Sequence, residues 1–233
     1  EGRFLGVLSV ASYRIDAFSK DDQRLLVLFA NQVAIALDNA RLYQEALDAS
    51  ERRITLHWLS QEIISTSMEP ERIYNTIYQA ALKLMPAEAF IISLLDQATD
   101  LINMVFCIDQ GKRYAGPQFA RGQGLSGYVI QTGEALILDD TELKKSGIAP
   151  VHIGTTSTVR SILAVPMRIG ERVLGVLSAQ CYQPHAYAAE DANLLEIIAA
   201  SAAIALENAQ IFSQMEAANV ELSNAYEATI EGW

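Results

Sequence analysis

The sequence predicts an α+β fold: an antiparallel sheet flanked by helices, with long coiled-coil helices at its N- and C-terminal ends. Three observations predict it. Apolar runs of strand length come in pairs across short polar turns, as in hairpins: 90–95 with 101–108, and 161–168 with 172–182. The stretches 21–66 and 189–230 hold neither proline nor glycine and carry apolar residues at helical spacing. Finally, residues 1–45 match residues 170–214 without a gap, 18 of the 45 being identical, so a strand-then-helix unit occurs twice.

The elements follow in order. Residues 3–13 read as a strand. Asp21-Asp22 then opens a long helix reaching about Thr66, because carboxylates in a first turn complement the helix dipole. Glu69-Pro70-Glu71 restarts a helix, since proline is tolerated in a first turn, and Pro86 ends it after about Met85. The first hairpin turns at Asp96–Asp100. The span 111–127 is loop-rich, 125–132 suits a short helix, and 135–138 a short strand. Residues 139–158 read as a surface loop. The second hairpin turns at Ile169-Gly170-Glu171, and Ala189 opens the last long helix, to about Ile230.

The internal match shifts the chain by 169 positions. Leu5-Gly6-Val7-Leu8-Ser9 falls on Leu174-Gly175-Val176-Leu177-Ser178, and Ala34-Ile35-Ala36-Leu37 on Ala203-Ile204-Ala205-Leu206. The chain begins at Glu1, without Met, directly in a strand-like run, and so reads as a piece of something longer. The expected layout is a truncated preceding copy over 1–45 and a linker helix over 46–66. A complete domain over 67–212 and a coiled-coil helix over 213–233 follow.

Charge narrows the function. Lys plus Arg number 17 against 28 Asp plus Glu, a net charge of −11. An acidic surface repels phosphate backbones, so no nucleic-acid partner is expected. No window reaches the roughly 18 uninterrupted apolar residues of a membrane span, so no membrane contact is expected either. Two cysteines, Cys107 and Cys181, show neither CxxC spacing nor a neighbouring histidine cluster. They suit a reducing compartment and hence a cytoplasmic location.

Gly122-Gln123-Gly124-Leu125-Ser126-Gly127 matches G-x-G-x-x-G, but it follows a loop and lies outside any βαβ pattern. It therefore reads as a loop folded over the sheet and capping a short helix, not as a dinucleotide site. Loops covering an antiparallel sheet make a small-molecule cradle. Its expected lining is Phe106, Phe119, Leu125, Tyr128, Val129 and His152, with Ser161 and Leu163 as sheet floor. The sequence shows no Ser-His-Asp order, HExxH or Walker loop. No catalytic residue or metal ligand is therefore assigned, the protein is not expected to be an enzyme, and the cofactor, if one exists, is unknown.

The long helices carry a seven-residue repeat. Ile197, Ser201, Ile204, Asn208, Ile211, Met215, Ala218 and Leu222 alternate steps of four and three, as do Leu28, Gln32, Ile35, Asn39, Leu42 and Ala46. Such a repeat is a coiled-coil seam, and a seam asparagine favours parallel, in-register pairing. A homodimer is expected through Ile35, Asn39, Leu42, Ile204, Asn208, Ile211, Met215 and Leu222. The strand 3–13, lacking the rest of its sheet, is expected to pair with a second copy.

Residues 55–212 resemble a GAF domain, a small-molecule-sensing regulatory module. The resemblance rests on Gly122-Gln123-Gly124-Leu125-Ser126-Gly127-Tyr128-Val129, Thr132-Gly133-Glu134, Asp139-Asp140, Ser161 to Met167, Leu174 to Leu177, Asp191 and Leu194-Leu195, in the family's order. It implies a ligand held between the sheet and its covering loops, with ligand state passed through the helices to an output domain. The family's cyclic-nucleotide binders carry an Asn-Lys pair, absent here. Residues 225–233, Ala225 to Trp233, look like the lead-in to an HD-GYP domain, which hydrolyses cyclic di-GMP. A histidine kinase or guanylate cyclase output is the alternative, and a ligand-free dimerisation scaffold is the rival to sensing.

Overall fold

The computed structural model describes residues 4–66, 68–148 and 159–231. The chain divides into two units, 1–55 and 56–233. Helix α1 runs Lys20–Ser65. Its start is fixed by a reciprocal cap: the Asp22 carboxylate accepts from the Ser19 amide at 2.8 Å, and the Asp22 amide donates to the Ser19 hydroxyl at 3.2 Å.

In the first unit, residues 4–10 form no strand and are exposed, which corrects the expected strand over 3–13. The second copy supplies the reason. Val176 and Leu177, the counterparts of Val7 and Leu8, are 1% and 0% exposed because their strand has a neighbour on each side. Backbone groups of an extended segment need such neighbours to make a ladder. The helix tells the same story. Leu25 and Phe29 are exposed and, with Val10, Phe18 and Leu26, line an open cleft of about 540 Å³, whereas Leu195 and Ile198, the counterparts of Leu26 and Phe29, are buried.

By length and mean hydropathy, two segments could cross a membrane: Lys20–Gln44 at 1.3 and Ala189–Asn224 at 1.4. The second covers a sheet, and the first repeats its sequence, so both carry the apolar content of a sheet-covering helix.

The second unit holds α2 (Pro70–Leu84), β1 (Ala89–Asp96), β2 (Leu101–Asp109), β3 (Lys112–Tyr114) and β4 (Gln118–Ala120). These are followed by α3 (Gly124–Thr132), β5 (Leu136–Asp139), α4 (Asp140–Lys145), β6 (Ser161–Ile169), β7 (Arg172–Cys181) and α5 (Ala189–Glu231). The strands form one antiparallel sheet in the order β3-β2-β1-β7-β6-β5, with β4 also paired to β2. Both expected hairpins are present. Asp96 closes the first, its carboxylate accepting from the Ala98 amide at 2.8 Å and the Thr99 hydroxyl at 2.7 Å.

The sheet is buried on both faces. One face carries Phe90, Ile92, Phe106, Leu163, Val165, Met167 and Leu177. It packs on α2, on α5 and on Leu59 and Ile63 near the end of α1. The other carries Ile91, Leu95, Ile102, Met104, Ala164 and Val176 and packs on α3. Every residue of β6 from Ser161 to Met167 is buried, as expected of a strand covered on both sides. α5 buries one face, Leu195, Ile198, Ala199, Ala202 and Ala209, and beyond Ala209 its described residues are exposed.

Candidate functional site

The face under α3 is where the glycine-rich motif acts. Gly124 opens α3, and Gly133 ends it in the left-handed conformation, φ 68°, its amide donating to the Val129 carbonyl. Gly127 is required by contact. A Cβ there would stand 2.5 Å from the Arg121 carbonyl oxygen, so the preceding loop lies directly against the helix. α3 then sets Val129 and Ile130, 0% and 3% exposed, on the sheet.

The floor beneath is made of small side chains. Ser93, Ala164 and Ser178 are buried there, with Val176 and Met104 around them. β7 places Ser178 opposite Ala164 on one side and Ile91 on the other. The Ser126 hydroxyl bonds that of Ser93 at 3.2 Å, the polar contact that pins α3 to the sheet. At the far end, Asp139 caps α4. Its carboxylate accepts from the Thr141 and Glu142 amides at 2.8 Å each, and Glu142 accepts from the Asp139 amide. The Glu142 amide is the main reason the Asp139 carboxyl is held below the usual range, and the His185 ring beside it, at 3.4 Å, adds to this.

Of the expected cradle residues, Phe119 and Val129 are brought together on this face. Leu125 and Tyr128 stand beside them on α3, half-buried and exposed respectively. Phe106 and Leu163 point to the opposite face, into the helical core. Ser161 pairs with Cys181, of the same helical core. Its hydroxyl is already committed, donating to the Gln183 carbonyl at 2.7 Å and accepting from the Ala186 amide at 3.0 Å. His152 lies outside the described residues. Ser93, Met104, Ala164 and Ser178 were not expected as site residues, although the small size of Ser93, Ala164 and Ser178 suits a closely packed helix and is a signal the sequence holds.

Neither thiol has the character of a nucleophile. Burial, and then the nearby Asp109 carboxylate, push the Cys107 thiol up to about 11. Burial and Glu88 also raise Cys181. Among the described residues, no three His, Cys, Asp or Glu side chains group to hold a metal ion.

Known proteins share this architecture. Residues 67–207 match the GAF domain family. A putative methyl-accepting chemotaxis protein of Synechocystis is 23% identical over 204 residues, 86% of this chain and 20% of that protein. A probable 3′,5′-cyclic phosphodiesterase of Caenorhabditis elegans is 28% identical over 98 residues, 42% of this chain and 14% of that protein. The chain thus spans a fifth or less of the length of these relatives. The GAF domain of an Acinetobacter phosphoenolpyruvate-protein phosphotransferase superposes with a TM-score of 0.59 at 21% identity, covering 70% of this chain and 98% of that one. The sheet order, the helix on each face and the family match over 67–207 agree, and the chain belongs to the GAF domain family.

Proposed function

We infer that this chain is the sensory and dimerising region of a signalling protein, and that it passes the state of a small-molecule site to an output domain through α5. One observation carries the reading. α5 buries one face on the sheet, yet Ile204, between buried Ala203 and Ala205, is 43% exposed, and the same outer stripe continues through Ile211, Met215 and Leu222. A helix that serves the core on one face and a seam on the other couples domain to partner. Asn208 stands in that seam and is exposed, as is Asn39 in the matching stripe of Ile35 and Leu42 on α1. This supports a parallel homodimer. A ligand acts on such a dimer only by favouring one helix arrangement over another.

The ligand site of this proposal is the α3 face, with Phe119, Leu125, Tyr128 and Val129 as walls. Residues 1–45 are the end of a preceding GAF domain, 46–66 the connecting helix, 67–212 the sensing domain and 213–233 the helix toward the output. The resemblance of 225–233 favours an HD-GYP cyclic di-GMP phosphodiesterase as that output, and a cytoplasmic protein. The chain itself is regulatory and not catalytic.

Native mass spectrometry of gently purified protein, followed by a thermal-shift screen of metabolites, tests the sensing claim. A bound mass or a stabilising metabolite is expected. At 100 times its Kd such a ligand adds about 2.7 kcal/mol. A protein that purifies empty and is stabilised by nothing screened would favour the scaffold reading instead.

A further inference from the structure

The helical side of the second unit holds a groove of about 630 Å³, away from α3. Its walls are Tyr74 on α2, Leu94 near the end of β1, Leu174 on β7, and Leu206, Ala209 and Phe212 on α5. That volume is the size of a small-molecule site, and the walls are apolar and aromatic. The charges around it are unequal. Three carboxylates, Glu69, Glu207 and Glu216, face one guanidinium, Arg172. Arg172 is already ion-paired with Glu207, and Arg72 pairs with Glu69 at 2.7 Å. Glu216 makes no ion pair among the described residues and gives the groove a negative end beside Phe212.

Two further observations separate the groove from the dimer seam and from chance. At about 100° per residue, Leu206, Ala209 and Ser213 lie roughly half a turn from Ile204, Ile211 and Met215, and Phe212 and Glu216 roughly a quarter to a third of a turn, so a seam on the outer stripe leaves the groove open on its sheet side. The repeat keeps the groove's apolar walls and its paired charges but not its carboxylate end, since Leu47 stands where the second copy has Glu216. Arg3, Leu5, Leu37, Asp38, Ala40 and Tyr43 stand 169 positions before Arg172, Leu174, Leu206, Glu207, Ala209 and Phe212.

The geometry points to a second ligand site in this groove, for a small organic monocation with an aromatic or alkyl body. The apolar body lies against Tyr74, Leu94, Leu174 and Phe212, and the cationic head meets Glu216 and can stack on the Phe212 ring. Phosphate-bearing ligands are disfavoured by the same carboxylates. The position gives the site a role. Among the residues of α5 whose burial is described, Ala209 is the last buried one, and Phe212 and Glu216 lie on the first turns beyond the sheet. An occupant joins those turns to the hairpin ends and so sets the direction in which α5 leaves the domain.

The test is titration calorimetry and amide NMR on the full chain with 4-phenylbutylammonium, neutral 4-phenylbutanol and anionic 4-phenylbutanoate. The cation is expected to bind best and the anion worst, with shifts at Leu94–Gln97, Arg172–Leu174 and Leu206–Glu216. Glu216→Gln is expected to weaken the cation about tenfold and leave the alcohol unchanged. Phe212→Ala, at a half-exposed position that the fold tolerates, weakens both. The proposal is overturned if the anion binds as well as the cation, if Glu216→Gln leaves the cation unaffected, if shifts fall on α3, or if nothing binds at millimolar concentration. Binding seen only in a monomeric Ile204→Asp variant would mean that a second copy fills the groove, and would overturn it too.

Discussion

The Ser126 hydroxyl on α3 and the Ser93 hydroxyl on β1 meet at 3.2 Å in a buried contact. Apolar packing surrounds it, from Val129 and Ile130 above and from Ala164 and Val176 below. Helix α3 is thus held on the sheet by close packing plus one polar pin.

Removing one half of that pin strands the other. Ser93→Ala or Ser126→Ala should each cost about 1–3 kcal/mol in urea unfolding, the usual penalty for a buried hydroxyl left without its partner. The double variant should cost clearly less than the sum of the singles, because nothing is then stranded. Additive costs would show that the contact contributes nothing.

Two glycines of the same motif should behave oppositely. At Gly127 a Cβ would fall 2.5 Å from the Arg121 carbonyl, while at Gly122 nothing lies within 4 Å. Gly127→Ala should therefore lower stability by about 1–3 kcal/mol, the range for overpacking, and Gly122→Ala should change it little. Thermal unfolding of the two variants decides this.

The cysteines should be inert in the folded protein. Cys107 is raised to about 11 by burial and Asp109, so at pH 8.5 iodoacetamide should label it far more slowly in native than in urea-unfolded protein. The sign of the linkage follows. A thiol raised in the folded state imposes no penalty below its unfolded value of about 8.5, and stability is lost as pH climbs from there toward 11. Fast native labelling at pH 8.5 would contradict the burial.

The acid side should show the reverse. Asp139 is lowered chiefly by the Glu142 amide, and Asp96 chiefly by the Thr99 hydroxyl. Groups depressed in the folded state add stability above their unfolded value of about 3.9, and that stability is lost as pH falls through the folded value. Carboxyl carbon NMR titrations should place both midpoints below 3.9. A midpoint at or above 3.9 for Asp139 would show that the cap is not formed.

Both hairpins, the glycine-rich helix and the long helices were legible because each rests on a local signal: alternation, turn residues or helical spacing. β3 and β4 were not. Each is three residues long, and β4 exists only through its pairing with Leu101, Ile102 and Asn103 of β2. α4 was missed although its cap, Asp139 followed by Glu142, stands in the sequence. The cradle floor failed for a different reason. With both faces of β6 buried, hydrophobicity does not say whether Leu163 or Ala164 lies under α3. Side-chain size does: Ala164 and Ser178 accept a close helix, and Leu163 and Leu177 fill the space under α2 and α5. Residues 4–10 have the composition of a strand and lack the neighbours that would make them one, which local pattern does not report.

The proposed seam on α5 matters most, because signalling through the helix requires a partner for it. Light scattering of the full chain tests it most directly. The wild type should run at twice 25.5 kDa. Ile204→Asp with Ile211→Asp, both at exposed positions that leave the core intact, should run at 25.5 kDa. A wild-type chain that stays monomeric at several hundred micromolar, or a double variant that stays dimeric, would contradict it.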